Sequence, residues 1–122
     1  MQGLVLLLLF NIFFPFTVFA TADLNQVNQK VCDRFDSDLN KMAAIMDELK
    51  LRKGITETRV AYGGVDTPIK SADYWVTSAA EAVAFERAQK FSGKSDLRYS
   101  LEVLKGKILR AKKEVGKAIE NE

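Results

Sequence analysis

From Leu24 onward, apolar residues recur every three or four positions: Leu24, Val27, Val31, Phe35, Leu39, Met42, Met46 and Leu49. Steps of that size draw one line down an α-helix, because side chains three and four apart share a face. The pattern predicts a long one-sided helix over residues 24–53. Asp23 stands where a cap is needed, Lys50, Arg52 and Lys53 suit the negative end of the helix dipole, and Gly54 is a stop. Because a glycine is tolerated inside a helix, continuation past Gly54 is the alternative.

The stretch after it, Tyr62-Gly63-Gly64-Val65-Asp66-Thr67-Pro68, is the only one dense in turn residues. Its glycines permit positive φ, and Pro68 biases Thr67 toward extended backbone. Residues 54–70 therefore read as a loop, with Tyr62, Gly63, Gly64 and Asp66 as a candidate recognition site.

A second helix is predicted over residues 71–91, capped by Ser71 or Asp73. It carries the sole tryptophan, Trp75, beside Tyr74, and it is rich in alanine. Its polar residues Ser78, Glu81, Glu86, Arg87, Gln89 and Lys90 do not fall on one face. The expectation is a central element touched on more than one side, with its aromatics, Phe85 included, filling the gaps.

Ser95 is the expected cap of a third helix over residues 96–119. Leu97, Leu101, Leu104, Ile108, Ala111, Val115 and Ala118 alternate steps of four and three, the seam of a coiled coil. Lys105, Lys107, Arg110, Lys112, Lys113 and Lys117 make the rest of that helix basic, with Glu102 and Glu114 interleaved. The fold class is thus all-α: a small three-helix antiparallel bundle, or a helical hairpin with a long first helix.

The N-terminal residues differ in kind. Residues 4–18 are almost entirely Leu, Val, Ile and Phe, interrupted by Asn11 and Pro15, and Ala20 and Ala22 supply a small-x-small cleavage pattern. Residues 1–22 read as a signal peptide whose removal leaves about 100 residues. The rival is an uncleaved anchor at residues 4–20, a run short against the roughly 20 residues of a spanning helix. Either reading expects a secreted or extracytoplasmic protein, in the periplasm or at the cell surface.

Charge and chemistry narrow the function by exclusion. Basic and acidic residues nearly balance, 18 against 16, so no global electrostatic partner is implied. With no histidine in the chain, His-based triads, His-ligated zinc and carboxylate–histidine iron sites are ruled out. Residues 88–95, AQKFSGKS, fit a relaxed phosphate-loop pattern, but that chemistry needs a preceding strand where this sequence predicts a helix end. Asp36, Asp38, Asn40 and Asp47 echo a calcium loop whose sixth position, Lys41, should be glycine. No metal, cofactor, nucleotide or nucleic acid is expected, and no enzyme activity. Cys32 is the only cysteine, which leaves packing or an intermolecular disulfide.

Two functions survive. The first is a non-enzymatic structural or protein-interaction module acting through its helical faces, by self-association or on another protein. The alternative is a binder of anionic lipid or polymer at an envelope surface, through Lys105, Lys107, Arg110, Lys112, Lys113 and Lys117.

Overall fold

The structure, a computed structural model, describes residues 23–55 and 67–121. The signal-peptide reading of residues 1–22 and the recognition loop at Tyr62, Gly63, Gly64 and Asp66 lie outside the described residues. Within them the chain is all-α: α1 is Leu24–Arg52, α2 is Pro68–Ala88 and α3 is Lys94–Glu120.

Each terminus of these helices has a local cause. The Asp23 carboxylate accepts from the Asn25 N–H at 2.9 Å and starts α1. At the other end Gly54 adopts φ +70°, the left-handed conformation that glycine tolerates best. The Gly54 N–H then bonds Leu51 O at 3.2 Å and the Ile55 N–H bonds Lys50 O at 2.9 Å. These are the paired bonds of a Schellman stop, and they satisfy carbonyls the helix leaves open. The half-buried Ile55 packs on the core just beyond.

The starts of α2 and α3 differ from expectation. Thr67 caps α2, its hydroxyl accepting from the Lys70 N–H at 3.2 Å. Pro68 follows as the first helical residue, where its missing N–H costs nothing and its fixed φ already suits a helix. Ser71 and Asp73 thereby fall inside the helix and are free for contacts between helices. α2 also stops at Ala88, short of Phe91. Gly93, with no side-chain cap, precedes α3, and Ser95 lies within its first turn.

The short link from Ala88 to Lys94 forces α2 and α3 into antiparallel contact. Cross-links confirm the directions: Ser71 meets Glu114 and Ser100 meets Glu86, while Asn28 meets Glu86 and Lys50 meets Asp73. α1 is thus antiparallel to α2 and runs alongside α3 in the same sense. One core joins all three, with Leu39, Met42 and Met46 of α1, Val76 and Val83 of α2, and Leu104 and Ile108 of α3.

α3 buries its seam at every expected position except Leu101, which is half-buried. In α1 the C-terminal half of the apolar line is buried. Toward the N-terminus the enclosed residues are instead Asn28 and Cys32, with Val27 and Val31 only partly covered. α2 packs on both α1 and α3, the two-sided contact expected of it. Its buried residues Ile69, Ala72, Asp73, Val76, Ala79, Val83 and Glu86 form a single stripe wedged between α1 and α3. Two of them are acidic, whereas Ala80, Ala84 and Phe85 face outward.

The membrane-anchored form of the localisation expected from the sequence is overturned in the part described. No helix among the described residues is long and apolar enough to cross a membrane. Residues 4–20 lie outside the described residues.

Candidate helical docking groove

Polar groups enter the interior at both ends of the bundle. Where α1 finishes and α2 begins, Lys50 Nζ lies 3.2 Å from Asp73 Oδ1, with both side chains about nine-tenths buried. Nearby, Glu114 accepts from Ser71 Oγ at 3.2 Å and from Arg110 Nε at 3.1 Å, and Lys117 Nζ lies 3.7 Å away. Burial alone would push the Glu114 carboxyl up. The bonds from Arg110 and Ser71 and the Lys117 charge outweigh that and hold it below its ordinary value. The Arg110 guanidinium also sits 4.1 Å from the Trp75 ring centre, and Tyr74 meets Trp75 edge-on at 5.1 Å. The Tyr74–Trp75 pair therefore already holds a cation of its own chain.

At the opposite end α1 fastens the C-terminus of α2. Asn28, fully buried, donates to the Glu86 carbonyl at 2.9 Å, and Gln29 donates to the Arg87 carbonyl at 2.9 Å. The Asn25 amide oxygen accepts from the Phe91 N–H at 2.9 Å. Arg87 returns across the interface, donating to Asp36 at 2.6 Å, Asp33 at 2.7 Å and Gln29 at 3.0 Å. Asp36 and then Asp33 raise the guanidinium's pKa, so it stays charged. Side chains of α1 thus bond carbonyls in the last turn of α2, of which Glu86 O also accepts from the Gln89 N–H at 3.0 Å.

Glu86 belongs to this end and is served differently. It is only 5 % exposed, and Ser100 Oγ donates to its Oε1 at 2.6 Å. Its Oε2 is buried with no hydrogen-bond partner among the described residues. An acceptor left in that state costs about 1–3 kcal/mol, and more if charged. Asp73 and Glu114, the other buried carboxylates among the described residues, each lie within 4 Å of a cation; Glu86 has only a hydroxyl.

Glu86 lines a groove of about 540 Å³ between α2 and α3. Phe85, 70 % exposed, and Tyr99, 73 % exposed, stand over it with Val103, and Glu81 and Lys107 lie on its margins. Phe85 thus leaves the gap-filling role expected of it and presents its ring to water. Leu104 contributes apolar wall from the core side. The groove is open, acidic within and aromatic at the rim.

The residues singled out by sequence are dispersed. Cys32 is fully enclosed, 4.0 Å from the Asn28 amide oxygen. The sulfur has no exposed surface in this structure, so a disulfide to another chain would first require this end of the bundle to open. Burial pushes its thiol pKa up, aided by Glu86, Asp36 and Asp33 and opposed by Arg87, which makes it a poor nucleophile. Lys105, Lys107, Arg110, Lys112, Lys113 and Lys117 are all exposed. At 3.6 residues per turn they spread over about 220° of the α3 circumference, so they do not form one face. Arg110 and Lys117 are turned to Glu114, and Lys107 borders the groove.

Asp36, Asp38, Asn40 and Asp47 all lie in continuous α1 helix, which has no loop to wrap an ion. No group of three or more metal-ligating side chains converges among the described residues. Residues 88–95 span the α2–α3 link with a helix, not a strand, before it.

Tyr99 and Val103 carried a signal in the sequence. They are one turn apart and out of phase with the Leu97–Leu104 seam, a second apolar line on a helix whose first line was already assigned. No protein-family model matches the chain, and no curated protein or solved structure is significantly similar to it.

Proposed function

We propose that this chain is a non-enzymatic protein-interaction module that docks a helix of another protein in the α2–α3 groove. The observation that carries the reading is the exposure of two large aromatic rings, Phe85 and Tyr99, on the lips of one cleft. Aromatic side chains left in water at a concave site are the residues that dominate helix-in-groove recognition once covered. The groove also lies along two packed helices, and so presents a straight seat of the shape a third helix fills. Binding of anionic lipid or polymer finds less support, because the six basic residues of α3 diverge around the helix and two of them are engaged by Glu114.

A photo-cross-linking amino acid at position 99, with position 112 on the far side of α3 as control, tests this in the cell that makes the protein. The expected result is a discrete protein adduct from position 99 and none from 112. The captured protein, purified, should then bind the wild-type chain and lose at least about tenfold in affinity for Phe85→Ser. Equal labelling from both positions, or unchanged affinity for Phe85→Ser, would sink the reading.

A further inference from the structure

We infer that the helix docking in this groove presents a lysine or arginine whose charge is received by Glu86 Oε2, its aliphatic stem lying along Phe85 and Tyr99. The inference rests on the docking reading above and adds the chemistry of the partner. Its basis is the contrast among the buried carboxylates. Asp73 has Lys50 at 3.2 Å and Glu114 has Arg110 at 3.1 Å, whereas Glu86 is equally enclosed and meets only the Ser100 hydroxyl among the described residues. The nearest guanidinium in sequence, Arg87, points to the other side of α2 and is committed to Asp33 and Asp36.

Glu86 is therefore the one groove-lining residue among those described whose carboxylate keeps a buried oxygen without a donor. Asp73 Oδ2 is likewise unpartnered, but it lines no groove described here, and its carboxylate already has a cation. Phe85 and Tyr99 line the same groove as Glu86, and aromatic rings beside a carboxylate favour a cation over a neutral group. A lysine or arginine fits both requirements, since its stem buries against apolar surface while its head keeps a charge partner. Charge complementarity thus selects the occupant: an apolar helix face carrying one basic side chain.

The probe is n-hexylammonium, with 1-hexanol as its uncharged counterpart, titrated into the full chain while backbone amide shifts are followed. Hexylammonium should move the resonances of Phe85, Ser100 and Val103, and bind roughly tenfold more tightly than hexanol. Glu86→Gln keeps an acceptor for Ser100, so it should fold normally and reduce hexylammonium to the hexanol level. Equal binding of the two probes, or no shift from either, overturns the inference while leaving an apolar docking groove intact. Selective hexylammonium binding without a protein adduct at position 99 overturns the helical source, because the groove would then serve a small cation. With an adduct in hand, the cross-linked helix should contain a lysine or arginine, and a segment lacking both overturns the assignment.

Discussion

The two ends of the bundle solve one problem in opposite ways. Where α1 finishes, charges are drawn inside and matched: Lys50 with Asp73, and Glu114 with Arg110, Lys117 and Ser71. Where α1 starts, amides and one arginine tie down the end of α2 through several contacts, some of them open to water. A buried pair is all-or-nothing, because removing one member strands the other in low dielectric. A spread of half-exposed bonds fails gradually, since water replaces each lost partner. The matched end is thus built as a rigid clamp. The tied end leaves Glu86 with one donor too few, beside the open groove.

Asp73→Ala breaks the comparison most directly. Removing the buried carboxylate that Lys50 faces at 3.2 Å should cost about 3 kcal/mol, read from the midpoint of chemical denaturation. The double change Lys50→Met with Asp73→Leu should recover most of the loss, as apolar pairs of similar volume often do. A cost below about 1 kcal/mol for Asp73→Ala would place the pair with ordinary surface bridges. The same end governs acid stability. The Glu114 carboxyl is depressed in the folded state, so its contribution is complete above its unfolded pKa and disappears as pH falls through the folded value. Wild-type stability should therefore decline below about pH 4.5, the ordinary carboxyl value, and Glu114→Gln should flatten that slope. An unchanged slope in the variant would contradict the pairing.

Arg87→Ala tests the other end and should be milder. Its carboxylate partners Asp33 and Asp36 are 69 % and 41 % exposed, and water takes over when the guanidinium is gone. A loss of about 1.5 kcal/mol is expected, with Arg87→Lys regaining only part because an ammonium lacks the planar fork that reaches Asp33, Asp36 and Gln29 together. A loss as large as that of Asp73→Ala would erase the distinction between clamp and tie. Gly54→Ala, at the clamp end, should cost about 1 kcal/mol, since a Cβ at φ +70° strains the backbone although nothing lies within 4 Å of it.

These differences also explain what could be read from the sequence. The α3 seam was legible because hydropathy and burial coincide there at every seam position but Leu101. α2 was not, because its stripe includes Asp73 and Glu86, buried by virtue of Lys50 and Ser100 on other helices, while Phe85 and two alanines occupy the outside. Periodicity counts apolar letters, and at α2 the fold exchanged apolar for polar on both faces. The α2 start was misplaced for a related reason: Ser71 and Asp73 have capping side chains, but Thr67 followed by Pro68 is the stronger stop on the preceding backbone. At the groove, Tyr99 and Val103 were visible as a second apolar line. The want of a cation at Glu86 was not, since it depends on what the neighbouring helices fail to supply.

Cys32 gives the smallest effect and the sharpest check on the tied end. Its sulfur is enclosed beside Asn28, and burial disfavours the thiolate. A thiol reagent should leave the native chain untouched for as long as the contacts of Asn28 and Arg87 hold, and react at the rate of opening. Arg87→Ala should therefore accelerate labelling of Cys32 by roughly tenfold, the factor corresponding to about 1.4 kcal/mol, if opening is local to this end. Asp73→Ala, though more destabilising overall, lies at the other end and should leave labelling by local opening near the wild-type rate. If Arg87→Ala labels at the wild-type rate as well, the thiol is reached without opening this end. Cys32→Ala should lower stability by about 1 kcal/mol or less, the small remainder of a sulfur removed from a packed site.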